Sequence, residues 1–294
     1  MIDPMQAVMD DWDIPVGLTV GIALSMVVYL RGWLALRRTR PQQFNRTPLL
    51  FFMSGMVLLW LDLGSPMDPL ADALLSAHMI EHLILMSAVP VLILFGHPTV
   101  PMLRGLPVFL RKGIAAPLLR FRPLRRFTHW LVRPAVAWLA MNITLLLWHV
   151  PGAYDFALES EGWHDFEHIC FLFTALLFWW CIIRPWPGAR RQLDWGILLY
   201  LVGADFVNTG LSAFLAFCGR PVYSYYTSNP NPFGIQPLPD QMMGAAVMWV
   251  MGSMMYLIPA GLIVFQMLQP SASTRAAAQR AAYPSHTAAA QPRT

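Results

Sequence analysis

Eight histidines punctuate the chain, and five of them form a pattern. His78-Met-Ile-Glu-His82 and His164-Asp-Phe-Glu-His168 each place two imidazoles four residues apart, and His149 falls between the pairs in Trp148-His149-Val150-Pro151. Residues at i and i+4 of a helix lie one turn apart on the same face. Each pair therefore aims two ring nitrogens at one point, and two pairs with His149 supply enough donors for a complete metal shell. A lone histidine in a membrane helix is as well explained by a hydrogen-bonded packing role. Five on one side of a membrane point instead to a metal or haem site, because polar groups inside spans are costly and concentrate at functional positions.

The neighbours of these histidines extend the donor set. Both pairs read H-x-x-E-H, a pattern shared with inverted zinc peptidases. Glu81 and Glu167 are more simply read as partners that fix the imidazole tautomers, or as helix-surface charges. Asp62, Asp68 and Asp240 fall near the same side, where Asp68 suits water and Asp240 suits a helix N-terminus as well as a cation. Met79, Met242, Met243 and Met248 add thioethers. Thioether and imidazole together suit Cu(I) better than zinc or iron, although any one methionine is also an ordinary apolar filler. The candidate ligands are His78, His82, His149, His164 and His168, with Asp62, Met79, Glu81, Glu167, Asp240 and Met243 as further ligands or their supports. Cys170 projects from another helix face than His168 and is a weaker candidate. Asp205, inside an apolar run, is expected to face the bundle interior, with no role assigned. Cys170, Cys181 and Cys218 show no C-x-x-C spacing, so no disulfide framework is expected.

Composition says what must hold these side chains. Of 294 residues, 56% are hydrophobic and 12% charged, about half the charge of a soluble domain, and mean hydropathy is +0.49. Seven apolar runs, near 16–36, 48–64, 70–96, 133–149, 163–183, 195–218 and 240–267, approach the roughly 20 residues that span a bilayer as a helix. The sequence predicts an all-α, polytopic bundle of seven transmembrane helices. Arginine sorts the connections. Arg37, Arg38, Arg40 and Arg46 follow the first run; Arg104, Arg111, Lys112, Arg120, Arg122, Arg125 and Arg126 follow the third. Arg184, Arg190 and Arg191 follow the fifth, and Arg275, Arg280 and Arg293 lie in the tail. The N-terminus and the second and fourth connections hold no Lys or Arg, and the sixth holds only Arg220. The positive-inside rule then puts the N-terminus outside, the C-terminus inside and the five histidines at the outer face. His97 and His129 belong to the inner side.

Residues 1–15 are read as a periplasmic segment without the basic n-region of a signal peptide, 16–268 as the membrane domain and 269–294 as a disordered cytoplasmic tail. Residues 103–127 mix Leu, Phe and Pro with arginine. They suit a basic stretch lying on the anionic leaflet, or a plain solvated loop. The pI near 9.2 reflects these membrane-flanking arginines, so no nucleic-acid partner is expected.

The outer-face segments resemble the seven-span CtaG family of assembly factors for caa3-type cytochrome c oxidase. The resemblance rests on Ser76-Ala77-His78-Met79-Ile80-Glu81-His82 with Pro90 and Gly96, and on Trp148-His149-Val150-Pro151 with Tyr154 and Ala157. It continues through His164 and Glu167-His168, then Asp240-Gln241-Met242-Met243-Gly244 to Met248-Trp249, over about 45–265. One departure is Glu81, where a neutral residue such as glutamine is expected. The resemblance implies a non-enzymatic factor of a bacterial inner membrane. Members are associated with maturation of the oxidase copper site, and with the ligand chemistry above this gives a factor that binds copper, as Cu(I), at the periplasmic side and supports the copper centre of an oxidase. Its partner would be a haem-copper oxidase subunit or a periplasmic copper chaperone, and membrane lipid surrounds it. A haem-binding electron-transfer protein and a membrane-embedded zinc hydrolase stay open as alternatives.

Overall fold

The computed structural model describes residues 3–183, 185 and 195–269, and every regular element among them is a helix. Six helices are long and apolar enough to cross a membrane: Val16–Arg37, Arg46–Leu63, Leu75–Phe95, Glu161–Ile183, Trp195–Phe217 and Pro237–Leu268. The fourth run forms Pro134–Trp148, only 15 residues or about 22 Å of helix. It is joined to the basic helix Arg122–Leu131 at a bend of 68°, so the count is six, or seven with this pair taken as one span. We number them first to seventh in chain order, with Pro134–Trp148 as the fourth. Large apolar side chains such as Leu24, Leu199, Phe206 and Leu262 point away from the bundle and are mostly exposed. Helices apolar on both faces require lipid on the outer one.

Alternating direction brings the start of the third, fifth and seventh spans and the end of the fourth to one end of the bundle, called here the histidine end. The sequence predicts the third span from residue 70, but it begins at Leu75, after a separate helix Met67–Ala73 and an extended Leu74 (φ −133°, ψ 125°). The reason is Asp240, at the start of the seventh span. Its carboxylate accepts Leu75 N at 2.7 Å, Ser76 N at 3.2 Å and Ser76 Oγ at 2.5 Å, capping the third span from another helix. The third span also breaks at Ser87. Pro90 has no N–H for the Met86 carbonyl one turn back, and the Trp179 indole of the fifth span donates to that carbonyl at 2.9 Å.

Glycine sets the closest approaches. A Cβ on Gly252 of the seventh span would lie 2.5 Å from Asn208 Nδ2 of the sixth, and the same amide donates to Met248 O at 3.1 Å. The first span packs backbone to backbone on the short helix Thr99–Gly105. A Cβ on Gly32 would meet Pro101 O at 1.8 Å, and one on Gly105 would meet Val28 O at 1.7 Å. The stretch predicted to lie on the leaflet folds as short helices from Thr99 to Leu131, with its basic side chains largely outward. At the histidine end, Pro4–Asp10 is helical, and Trp12 Nε1 donates to Gly64 O at 3.3 Å. The predicted tail, apart from Gln269, and the connection with Arg184, Arg190 and Arg191 lie outside the described residues.

Candidate metal centre

His78 and His82 occupy the first two turns of the third span, and His164 and His168 the first two turns of the fifth. Helical spacing puts each pair on one face, and the two faces meet. Ring centroids lie 4.2 Å apart for His78 and His82, 4.3 Å for His164 and His168, 5.2 Å for His78 and His164, and 5.4 Å for His82 and His168. All four are at least nine-tenths buried.

The glutamates cross between the pairs. Glu167 Oε1 of the fifth span is 3.8 Å from His82 Nε2 of the third, and Glu81 Oε1 of the third is 3.5 Å from His168 Nε2 of the fifth. These separations are too long for hydrogen bonds. Both ring nitrogens of His78 and His82, Nε2 of His164 and His168, and all four glutamate oxygens are buried without a hydrogen-bond partner. Such groups are expensive in an apolar interior unless something satisfies them. Donor atoms of His78, His82 and Glu167 lie within 4.8 Å of one another. Imidazole nitrogen and carboxylate oxygen are ligands for copper, zinc and iron, so the residues fit a metal ion, with His78, His82 and Glu167 to hold it and His164 and His168 beside them.

A vestibule of about 770 Å³ lies beside this group at the histidine end. It is lined by Asp11, Asp13, Asp68, Asp72, Glu161 and Asp165, with His164 and His168 in its wall. His164 Nδ1 is 3.7 Å from Asp72 Oδ1. Burial, with Asp72, Asp165 and Glu161 nearby, pushes the Asp68 carboxyl up to about 7; burial, then Glu161, pushes that of Asp72 up to about 6. His164 and His168 thus stand between the buried donors and an acidic mouth.

Three tyrosines close the other flank. Tyr154 lies 5.2 Å from the His78 ring and stacks on Tyr223 at 3.9 Å. Its hydroxyl pairs with that of Tyr226 at 3.2 Å, and Tyr223 donates to His149 O at 3.4 Å. Tyr223 and Tyr226 escape a sequence reading because they sit in a polar, proline-flanked connection with no helical period. Asp155 accepts from Ser224 N, Ser224 Oγ and Tyr225 N, fixing the short helix Ser224–Ser228 that carries Tyr226. Gln241 ties the same connection down, accepting from Val222 N at 2.7 Å and donating to Leu215 O at 3.0 Å.

The remaining predicted residues separate from the group. His149 is buried, but its ring neighbour is Tyr154 at 6.3 Å rather than the four histidines. Asp240 spends its carboxylate on the third-span cap. Met243 is 52% exposed, on the outward side of the helix whose Gly244 and Met248 face inward. Met79 is buried beside Gly244. Asp62 is buried at the end of the second span with both oxygens unpartnered. Asp205 is half-buried, with one oxygen buried and unpartnered, and nothing in the structure explains it. Cys170 is half-buried and stands outside the grouped donors.

The model of the cytochrome c oxidase caa3 assembly factor family (Caa3_CtaG) matches residues 27–270. The chain belongs to this family. The match takes in every histidine of the centre, the tyrosine flank and the Asp240 cap, and leaves Asp11 and Asp13 of the vestibule outside it. Uncharacterized proteins of Mycobacterium bovis and Mycobacterium tuberculosis are each 29% identical over 233 residues, 78% of this chain and 35% of theirs. One of Mycobacterium leprae is 28% identical over 240 residues, 75% of this chain and 34% of its own. The chain thus spans about a third of the length of these relatives. No solved structure matches it.

Proposed function

We propose that this family member binds copper at the His78–His82–Glu167 group and makes it available for the copper centre of a haem-copper oxidase, without catalysing a reaction. The observation that carries the reading is the set of buried, unpartnered imidazole nitrogens gathered from two spans at the foot of an acidic vestibule. A cation is concentrated by the carboxylates and meets imidazoles that can take it one ligand at a time. Arginine-rich connections at the opposite end favour a periplasmic histidine end, with the N-terminus outside, in a bacterial inner membrane. The partner is then an oxidase subunit or a copper donor on that side. Direct packing of the four rings argues against haem, since a macrocycle between two of them would have to push the spans apart.

A second reading rests on the ligand set. Two histidines and a glutamate also hold catalytic zinc, with Glu81 as a base close to His168. The two readings part on metal content and activity. Protein purified without added metal is expected to carry copper and to lack hydrolase activity. His78→Ala, His82→Ala and His168→Ala are expected to lose the metal and to leave the oxidase copper-deficient in cells. His164→Ala weakens both, and His97→Ala and His129→Ala retain both at equal protein level. Zinc held against excess Cu(I), with peptide hydrolysis lost in Glu81→Gln, would overturn the copper reading.

A further inference from the structure

His149 is built to receive something other than a protein group. Its Nδ1 lies 2.8 Å from Leu145 O, and a carbonyl only accepts, so Nδ1 carries the proton and Nε2 the lone pair. That Nε2 is buried with no partner. His149 lines a small cavity of about 10 Å³, the space of one water-sized sphere. The lining includes His82, His149 and four methionines: Met79 and Met86 of the third span, Met248 and Met255 of the seventh. Each methionine pair is seven residues apart, two helical turns, so each shares a face. Met79, Met86 and Met248 are buried. Asn208 also lines the cavity, but its amide donates to Met248 O.

The chemistry of this lining differs from that of the neighbouring centre. Glu167 brings a carboxyl oxygen to His78 and His82. The chamber offers neutral sulfur and nitrogen lone pairs and no carboxylate. Thioether with imidazole selects a soft ion, and a ligand set without charge disfavours a divalent one. His82 lies at both places, in the donor group and in the chamber wall.

We propose that the chamber is a second metal station, which holds one Cu(I) through His149 Nε2 and methionine sulfur. This goes beyond the copper site proposed above and rests on that reading only for the source of the ion. The full-length protein in lipid nanodiscs, titrated anaerobically with Cu(I) against a competing chelator, is expected to take up two equivalents. X-ray absorption of the loaded protein is expected to show sulfur as well as nitrogen neighbours. Met86→Leu with Met248→Leu, a volume-conserving pair, is expected to lose one equivalent and the sulfur signal while unfolding at an unchanged temperature. Glu167→Gln is expected to lose the other equivalent and to keep the sulfur-ligated ion. Ag(I), a soft monovalent probe, should occupy the chamber and fail to do so in His149→Phe. The proposal is overturned if saturated wild-type protein shows only nitrogen and oxygen neighbours, or if the double leucine variant retains both equivalents. If wild type instead takes a single, sulfur-ligated ion and Glu167→Gln changes nothing, the chamber stands and the histidine–glutamate copper site fails.

Discussion

Replacing Asp240 by alanine strips the third span of its cap. Leu75 N and Ser76 N, both in the interior, lose the carboxylate that accepts them, and Ser76 Oγ loses its partner. A buried N–H left unpaired costs about 1–3 kcal/mol, and loss of an N-cap costs about 0.5–2 kcal/mol. These are overlapping descriptions of one loss. Two amides together put the Asp240→Ala change at about 3–5 kcal/mol, and Asp240→Asn, which keeps one acceptor oxygen, at about half of that. His78 follows within a turn of these amides, so the damage is local to the proposed metal centre. Thermal unfolding of purified protein in one detergent, amide exchange over residues 74–79 and copper stoichiometry read the three effects together. Both variants should unfold earlier and exchange faster there, alanine more than asparagine, with copper affinity falling in the same order. Unchanged exchange and unfolding in Asp240→Ala would refute the capping argument. Full stability in Asp240→Asn with complete loss of copper would make Asp240 a ligand instead.

Three further outcomes are expected. Gly252→Ala drives a methyl to 2.5 Å from Asn208 Nδ2 and should destabilise by about 1–3 kcal/mol; Gly261→Ala, with no atom within 4 Å of its added carbon, should be neutral in the same unfolding assay. Trp179→Phe orphans the Met86 carbonyl, whereas Pro90→Ala restores an N–H to it; the double variant should be more stable than the sum of the singles allows, and strict additivity in that cycle would count against the assignment. Asp68, raised to about 7, is protonated at pH 6 and ionised at pH 8. A carboxyl with a raised folded-state pKa contributes stability below its unfolded pKa that is lost as pH rises through the folded one. Metal-free protein should therefore lose stability from pH 6 to pH 8 while cation affinity rises, and Asp68→Asn should flatten both profiles.

The helices and their order were legible because lipid permits one answer for a long apolar run, and the two histidine pairs because four-residue spacing survives any uncertainty in helix ends. What the sequence hid was long-range. Residues 70–74 hold no Gly or Pro to part them from the span, and only a carboxylate 165 positions away shows where the third span starts. His149 falls between the pairs in sequence and looks like their fifth member. Its Nδ1 is held at the Leu145 carbonyl and its ring lies beside Tyr154 instead. Met243 and Met248 look alike in a run of methionines, and only the rotation set by Gly244 and Gly252 against their neighbours separates them. The shortness of the fourth span was visible as a length, but not the sharp bend before it, since Pro134 permits a turn without giving its angle.

The backbone contact between Gly32 and Gly105 joins the first span to the arginine-bearing stretch with no side chain between them. The Tyr29 hydroxyl, buried on that span, donates to Gly96 O at 2.6 Å, just before the stretch begins. A joint of this kind has no soft layer that can shear. Whatever tilts the first helix, including a thinner or thicker bilayer, must carry the arginines with it through the headgroup layer. The other end of that same rigid helix, at Gly17 and Leu18, lines the vestibule, so the two ends of the bundle share one mechanical element.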